Sequence, residues 1–411
     1  MRPPRSAYLH IPFCHRRCFY CDFPVVPLGD RAGAEPGQPG SASIAHYLVQ
    51  LLQEIEAAPP GPPLSTVYVG GGTPSLLAPQ QLRQLLAALR RRFGIAPGAE
   101  LSLELDPASF DQDRLEGYLA AGITRVSLGV QSFDDAVLEQ LGRRHRAADA
   151  LQAAGWLRAA QGRGRLGSWS LDLIQALPGQ SLGGWRLQLQ QALALAPPHL
   201  SIYDLILEPG TVFERLERRG QLDLPEHDLA ADLQECTVRE LAAAGYGHYE
   251  ISNYALPGHA SRHNRVYWSG AGWWGFGLGA TAAPWGERQA RPRTREAYGA
   301  WLAQLLAAAT DPAPGPGVPF DERVLVGLRR REGVALQALA EAAGLGSEAL
   351  GALQLAWQPY RQAGLLLQEG PRWRLSDPEG LALSNAVLRA LMGWWEQWGP
   401  VTAAAAPPPS P

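Results

Sequence analysis

Three of the four cysteines in this 411-residue chain, Cys14, Cys18 and Cys21, fall within eight residues and are spaced C-x3-C-x2-C; the fourth, Cys236, lies far away. Thiolates bind soft metals and iron–sulfur clusters, and a short irregular loop lets three of them converge on one small object. Three cysteine ligands on a [4Fe–4S] cluster leave one iron open to a small molecule. Zinc is the competing occupant, with His10, His15 or Cys236 as a fourth ligand. Structural zinc sites pair one C-x2-C with a second pair further along, and this chain has no second pair. The spacing therefore favours the cluster.

The elements that must position this loop alternate in type. Short apolar runs that read as buried parallel strands recur at Ala7–Ile11, Thr66–Gly70, Leu101–Leu105, Arg125–Val130, Ser170–Ile174 and Leu200–Leu205. Amphipathic helical segments lie between them at Ile44–Ala57, Pro79–Phe93, Asp111–Ala121, Asp134–Ala160 and Leu182–Ala196. Such a series implies an α/β fold with a parallel sheet and right-handed crossovers. Six strands rather than eight imply an incomplete (β/α)6 barrel, whose chemistry sits where strands end and the next loops begin. The cysteine loop follows the first strand and so lies at that end.

Residues suited to a small polar ligand follow other strands. Strand two runs into Gly70-Gly71-Gly72-Thr73, where glycines let the backbone approach a ligand and present N–H groups. A tight turn explains such a run equally well. Strand three ends in Glu104-Leu105-Asp106, strand four in Gln131, and strand five holds Asp172. Carboxylates and amides at a barrel mouth are costly to bury unless each meets a partner, so together they point to a polar ligand.

Further along, Glu226–Ala244 reads as a helix in which Cys236 is a small buried hydrophobe. The stretch from His248 through Arg262-His263-Asn264-Arg265-Val266-Tyr267-Trp268 to Ala280 is rich in aromatics, histidine and glycine. It reads either as a ligand-lining loop or as an aromatic domain joint. Asp311–Pro319 reads as a linker. Beyond it, helices and a hairpin at Leu365–Leu375 suggest a small, mainly helical, winged-helix-like domain. The expected organisation is a partial barrel over 1–205, a helical and aromatic region completing the site over 206–310, a C-terminal domain over 320–395 and a disordered tail over 396–411.

Composition narrows the class. A hydrophobic fraction of 46% with 18% charged residues is that of a globular protein. No apolar run reaches the roughly 18 residues of a membrane span, and the first ten residues carry no apolar signal segment. A cytoplasmic location is the expectation, in keeping with free thiols. The net charge of −3 gives no platform for nucleic acid. All 36 basic residues are arginine, so a lysine Schiff base and a P-loop are excluded.

The blocks YLHIPFC, VYVGGGTPS, RVSLGVQSF, LGRRH, DLIQALPGQ, LEPGT, HYEISNYA and RHNRVYW, in this order, resemble the coproporphyrinogen-dehydrogenase-like branch of the radical S-adenosylmethionine (SAM) proteins. The resemblance spans nearly all of residues 7–395. Within that branch the chain is most similar to the HemW-type heme chaperones. The resemblance implies that Cys14, Cys18 and Cys21 bind a [4Fe–4S] cluster whose open iron is chelated by SAM. It implies that Tyr8 flanks SAM, that the Tyr20 backbone lies near its adenine, and that Gly71, Gly72 and Thr73 meet its methionine end. Glu104, Gln131, Arg143 and Asp172 match the remaining polar SAM contacts. His263, in RHNRVYW, is then the expected axial heme ligand, with Tyr267 and Trp268 as stacking surface.

The functional expectation is a chaperone that binds heme beside the cluster and hands it to recipient haemoproteins, at a membrane, with a homodimer as one possible state and no catalytic residue assigned. The competing expectation is an oxygen-independent coproporphyrinogen III dehydrogenase of porphyrin biosynthesis. That branch carries a further cysteine two residues after the third, where this chain has Phe23, and a longer leader than the six residues that precede the first strand here. A radical SAM RNA-modifying enzyme would want a basic appended domain, which the charge balance does not supply.

Overall fold

Apolar and polar residues alternate along the strand segments, so each strand must bury one face and offer the other to something polar. In the computed structural model, which describes residues 3–308, 315 and 317–399, that alternation sorts the two faces of one sheet. Its first six strands are β1 (Ser6–Ile11), β2 (Leu64–Gly71), β3 (Ile95–Leu105), β4 (Arg125–Gln131), β5 (Ser168–Gln175) and β6 (His199–Asp204). Each pairs in parallel with the next. Leu9, Val67, Leu103, Leu128 and Leu171 are buried in one core with Leu51, Leu85, Leu115 and Leu157 of the helices. Burial of each such side chain contributes roughly 1.5–3 kcal/mol. Tyr8, Tyr68, Glu104, Ser127 and Asp172 alternate with these apolar residues and share the opposite, inner face.

Helices α1 (Ser41–Ala57), α2 (Pro79–Arg92), α3 (Gln112–Ala121), α4 (Ala147–Gly162) and α5 (Leu182–Ala194) connect successive strands. One expected helix, Asp134–Ala160, is two. A short helix at Asp135–Gln140, capped by the Asp134 side chain, ends before Gly142. Gly142 takes a left-handed φ of 73°, and the chain turns there before α4 begins. That turn delivers Arg143 to the site.

The sheet also carries three strands that the pattern did not disclose: β7 (Gly247–Glu250), β8 (Asn253–Ala255) and β9 (Trp274–Phe276). The order is β9-β1-β2-β3-β4-β5-β6-β8-β7, with β9 parallel to β1 and β7 and β8 antiparallel. At three or four residues each they are too short for alternation to register. The segment RHNRVYW, expected as part of an irregular stretch, is a helix, Arg262–Trp268, whose N-terminus is capped by the Ser261 hydroxyl.

The chain divides into two compact units, Met1–Gly317 and Val318–Pro411. The second has its own core, in which Val324, Leu328, Leu353, Trp357 and Leu391 are buried. Its hairpin, Leu366–Glu369 with Arg372–Leu375, gains a third strand from Val334–Ala335. The last helix, Ser384–Trp398, runs past residue 395, where the tail was expected to begin, because Trp394, Trp395 and Trp398 pack on this core. Residues 400–411 and most of the expected linker lie outside the described residues. Among the described residues no helix is long and apolar enough to cross a membrane.

Candidate cofactor-binding site

The cysteine loop leaves β1 and is closed at its base, where Phe13–Cys14 pairs with Val26–Pro27. Inside it, the Arg17 guanidinium donates to the carbonyls of Cys21 at 3.2 Å and Phe23 at 3.0 Å. His10 Nε2 donates to the Pro24 carbonyl at 3.1 Å, which leaves Nδ1 to accept from the Tyr8 hydroxyl at 2.9 Å. The Phe19 amide donates to the Leu141 carbonyl at 3.0 Å and so joins the loop to the turn that bears Arg143.

All three loop thiols are free and line a cavity of about 400 Å³. The Thr73 hydroxyl lies 3.6 Å from Cys14 Sγ and Arg143 Nη1 lies 3.5 Å from Cys18 Sγ. Burial pushes the Cys14 thiol up to about 12, so taking up a metal there must displace its proton, as coordination does. Among the described residues no three His, Cys, Asp or Glu side chains are grouped closely enough to hold one metal ion. Thiolates on a single tetrahedral zinc at about 2.3 Å would stand only about 3.8 Å apart. The three thiols line one cavity, and thiolates are the ligands that iron–sulfur clusters take.

The opposite wall of the cavity suits a small polar ligand. Gly71 has φ 120° and Gly72 packs so closely that a β-carbon there would lie 2.6 Å from the Phe13 carbonyl oxygen and 2.9 Å from Cys14 Sγ. The bare backbone at this point leaves room beside the sulfur. Glu104 accepts from the Tyr68 hydroxyl at 2.9 Å and from the Gly71 amide at 3.0 Å. Burial nevertheless raises the Glu104 carboxyl to about 7. Asp172 accepts from Ser127 and Ser170, both at 2.8 Å, and burial raises it too. Gln131 holds a left-handed φ of 67°, unusual for a residue with a side chain and typical of functional sites. Arg143 Nε is buried without a hydrogen-bond partner among the described residues. An orphaned donor of this kind beside a cavity fits an anionic ligand such as a carboxylate.

The structure thus brings together Cys14, Cys18, Cys21, Tyr20, Gly71, Gly72, Thr73, Glu104, Gln131, Arg143 and Asp172 around one cavity. Tyr8 stands behind that wall, its ring stacked on Tyr68 at 6.2 Å. His263 lies outside the residues that line this cavity. Its ring is fully buried, with Nδ1 2.8 Å from Thr66 Oγ1 and Nε2 2.7 Å from the Tyr267 hydroxyl. The surrounding contacts, Glu100 on the His263 amide and Arg125 on the His259 carbonyl, come from the N-terminal parts of barrel strands, opposite the cysteine end. Both of its nitrogens are engaged here, and Tyr68 is stacked over its ring at 5.2 Å.

Several lining residues were given no role of their own from the sequence, Asp106 among them although it closes the strand-three end. Asp106 forms an ion pair with Arg143 at 2.6 Å, and His145 Nδ1 lies 3.6 Å away. Burial alone would raise the Asp106 carboxyl, but Arg143 and His145 hold it well below the usual range. Tyr68 on β2 and Tyr203 on β6 also face the cavity, and their place on the inner-face register was the available signal. At the rim, Phe23, Tyr203 and Ile206 are 51%, 42% and 66% exposed.

Comparison with known proteins matches residues 8–185 to the radical SAM superfamily. The chain is 41% identical to the heme chaperone HemW of Synechocystis, over 96% of this chain and 98% of that protein. It is 33% identical to the Bacillus subtilis heme chaperone HemW, over 95% of this chain and 99% of that one. The structure resembles coproporphyrinogen III oxidase (HemN) of Escherichia coli with a TM-score of 0.75, covering 95% of this chain and 90% of that one. At 22% identity that likeness speaks for the fold alone.

Proposed function

The chain belongs to the HemW family of radical SAM proteins, and from that membership we propose that it is a heme chaperone with a SAM-binding [4Fe–4S] cluster. The observation that carries this reading is the 41% identity to a heme chaperone over nearly the whole of both chains. Cys14, Cys18 and Cys21 hold the cluster in this proposal, and Cys236, buried in the helix His227–Ala243, plays no part. When bound, the cluster supplies an open iron for SAM and an electron to its sulfonium. The chain's own residues orient and enclose: the Gly71–Thr73 backbone and Arg143 Nε meet the charged groups of SAM, with Glu104, Gln131 and Asp172 on the remaining polar contacts.

Heme needs a separate place. A cavity of about 400 Å³ is near the lower end of small-ligand sites, about 300–1,000 Å³, and the cluster and SAM already claim it. The exposed rim of Phe23, Tyr203 and Ile206 supplies apolar surface for a flat macrocycle, and Arg16 beside it suits one of its carboxylates. His15 lies in the same lining and is the imidazole we assign to the iron in place of His263. Recipient haemoproteins, handover at a membrane, a homodimeric form and a cytoplasmic location belong to the same proposal.

Phe23 also bears on the alternative, a coproporphyrinogen III dehydrogenase. A radical enzyme must seal its intermediate from solvent, and an apolar residue exposed at the rim serves uptake and release better than enclosure. The test is anaerobic reconstitution followed by heme titration and a coproporphyrinogen III assay on one sample. The reading expects about four irons, the stoichiometry of one cluster, a saturable Soret change and no porphyrinogen turnover. Multiple turnovers without heme binding would replace the chaperone with the dehydrogenase.

A further inference from the structure

Arg143 stands apart from the other polar residues of the cavity because its guanidinium reaches a loop thiol and a buried carboxylate at once. Its Nη1 lies 3.5 Å from Cys18 Sγ, while Nη2 donates to Asp106 at 2.6 Å and to the Gly129 carbonyl at 3.0 Å. Asp106 is backed in turn by His145, a fully buried ring whose Nε2 donates to the Val130 carbonyl at 2.9 Å. The side chains of Arg143 and Asp106 are only 12% and 18% exposed, so solvent does little to screen this charge. The Thr73 hydroxyl on Cys14 is a neutral donor, which makes the guanidinium on Cys18 the charged one of the two.

We propose that Arg143, held in place by Asp106 and His145, sets the reduction potential of the cluster through its hydrogen bond to the Cys18 sulfur. The proposal rests on the ligation by Cys14, Cys18 and Cys21 given above. Reduction adds one electron from a low-potential donor to the cluster and makes and breaks no bond. A fixed cation with an N–H aimed at a ligating sulfur stabilises the added negative charge and raises the potential. Asp106 works in the opposite sense: its carboxylate partly offsets the guanidinium and keeps the couple low enough to be a strong reductant. His145 is a positioning residue, since it acts only through Asp106 and Arg143; Asp106→Asn keeps an oxygen to hold the guanidinium and removes only the charge. The same guanidinium offers Nε to SAM, so ligand binding and potential are linked through one side chain.

The test is a reductive titration of the reconstituted full-length protein with dithionite, followed by EPR. Arg143→Gln is expected to lower the midpoint and Asp106→Asn to raise it, with iron content equal to wild type. Arg143→Lys, which keeps the charge, is expected to fall between wild type and Arg143→Gln. Opposite signs are the signature, because general damage to the loop would not move two variants in opposite directions. Unchanged midpoints in both variants, at full iron content, would overturn the proposal while leaving the cluster reading intact. A wild type that takes up no iron would instead overturn the cluster reading. Should the variants lose their iron, wild-type protein grown with 15N-arginine decides: pulsed EPR of the reduced cluster should show coupling to guanidinium nitrogen, and its absence would refute the hydrogen bond.

Discussion

A β-carbon on Gly72 would stand 2.9 Å from the sulfur of Cys14, so the glycine turn and the cysteine loop are packed as one object. The other near atoms are backbone, the Phe13 carbonyl oxygen at 2.6 Å and the Pro12 carbonyl carbon at 3.0 Å, and they cannot swing aside as a side chain could. Gly72→Val is therefore expected to cost the fold about 1–3 kcal/mol by overpacking. It should also lower iron uptake severalfold, and iron per chain with thermal unfolding checks both. Wild-type iron content in this variant would show that the loop and the turn are independent.

Gln131 holds its left-handed backbone at φ 67° although it has a side chain. That conformation costs a residue with a β-carbon about 1–2 kcal/mol, and glycine is free of this cost. Gln131→Gly is expected to raise the urea midpoint slightly while weakening SAM binding, because the amide is lost. Gln131→Ala should weaken SAM equally without the gain in stability. Calorimetric titration and urea unfolding separate the two effects.

Glu104 makes stability depend on pH. Its folded-state carboxyl is raised to about 7 by burial, against about 4.3 in an unfolded chain. Between those values the native state binds more protons than the unfolded state, so stability falls as pH rises through the window. The contribution is at most about 4 kcal/mol, reduced by water in the open cavity. Glu104→Gln should be more stable than wild type at pH 8 relative to pH 5 in the ligand-free protein, as urea unfolding at both values would show.

The two histidines make opposite predictions. His15→Ala is expected to shift the Soret band or weaken heme binding with cluster and SAM signals intact. His263→Ala should leave the heme spectrum unchanged. It strands the Thr66 and Tyr267 hydroxyls, at about 1–3 kcal/mol for each group left unsatisfied, and so should lower the thermal midpoint. A changed Soret band in His263→Ala would restore that residue as the ligand.

What could be read in advance was set by how local its signal is. The six long strands announce themselves as short apolar runs recurring between helical segments, and Glu104, Gln131 and Asp172 follow from their place on or at the end of those strands. The C-x3-C-x2-C loop carries its chemistry in its spacing. Arg143 did not stand out, because a helix break at Gly142 and a partner at Asp106, distant in sequence, give it its role. The role of His263 is hard to read for a related reason: an aromatic, histidine-bearing stretch looks the same whether it faces a ligand or packs against Thr66 and Tyr68. Edge strands of three or four residues, such as Trp274–Phe276, depend on pairing with β1 and leave no periodic trace of their own.

The central claim is delivery of heme, and the most direct measurement is transfer to an acceptor. Reconstituted protein loaded with heme is mixed with an apo-haemoprotein whose activity or Soret band appears only when heme arrives, beside an equal concentration of free heme. Faster or more complete loading from the protein, dependent on the rim residues Phe23 and Ile206, is the expected result. Heme that stays on the protein, or reaches the acceptor no better than free heme does, would contradict the chaperone reading.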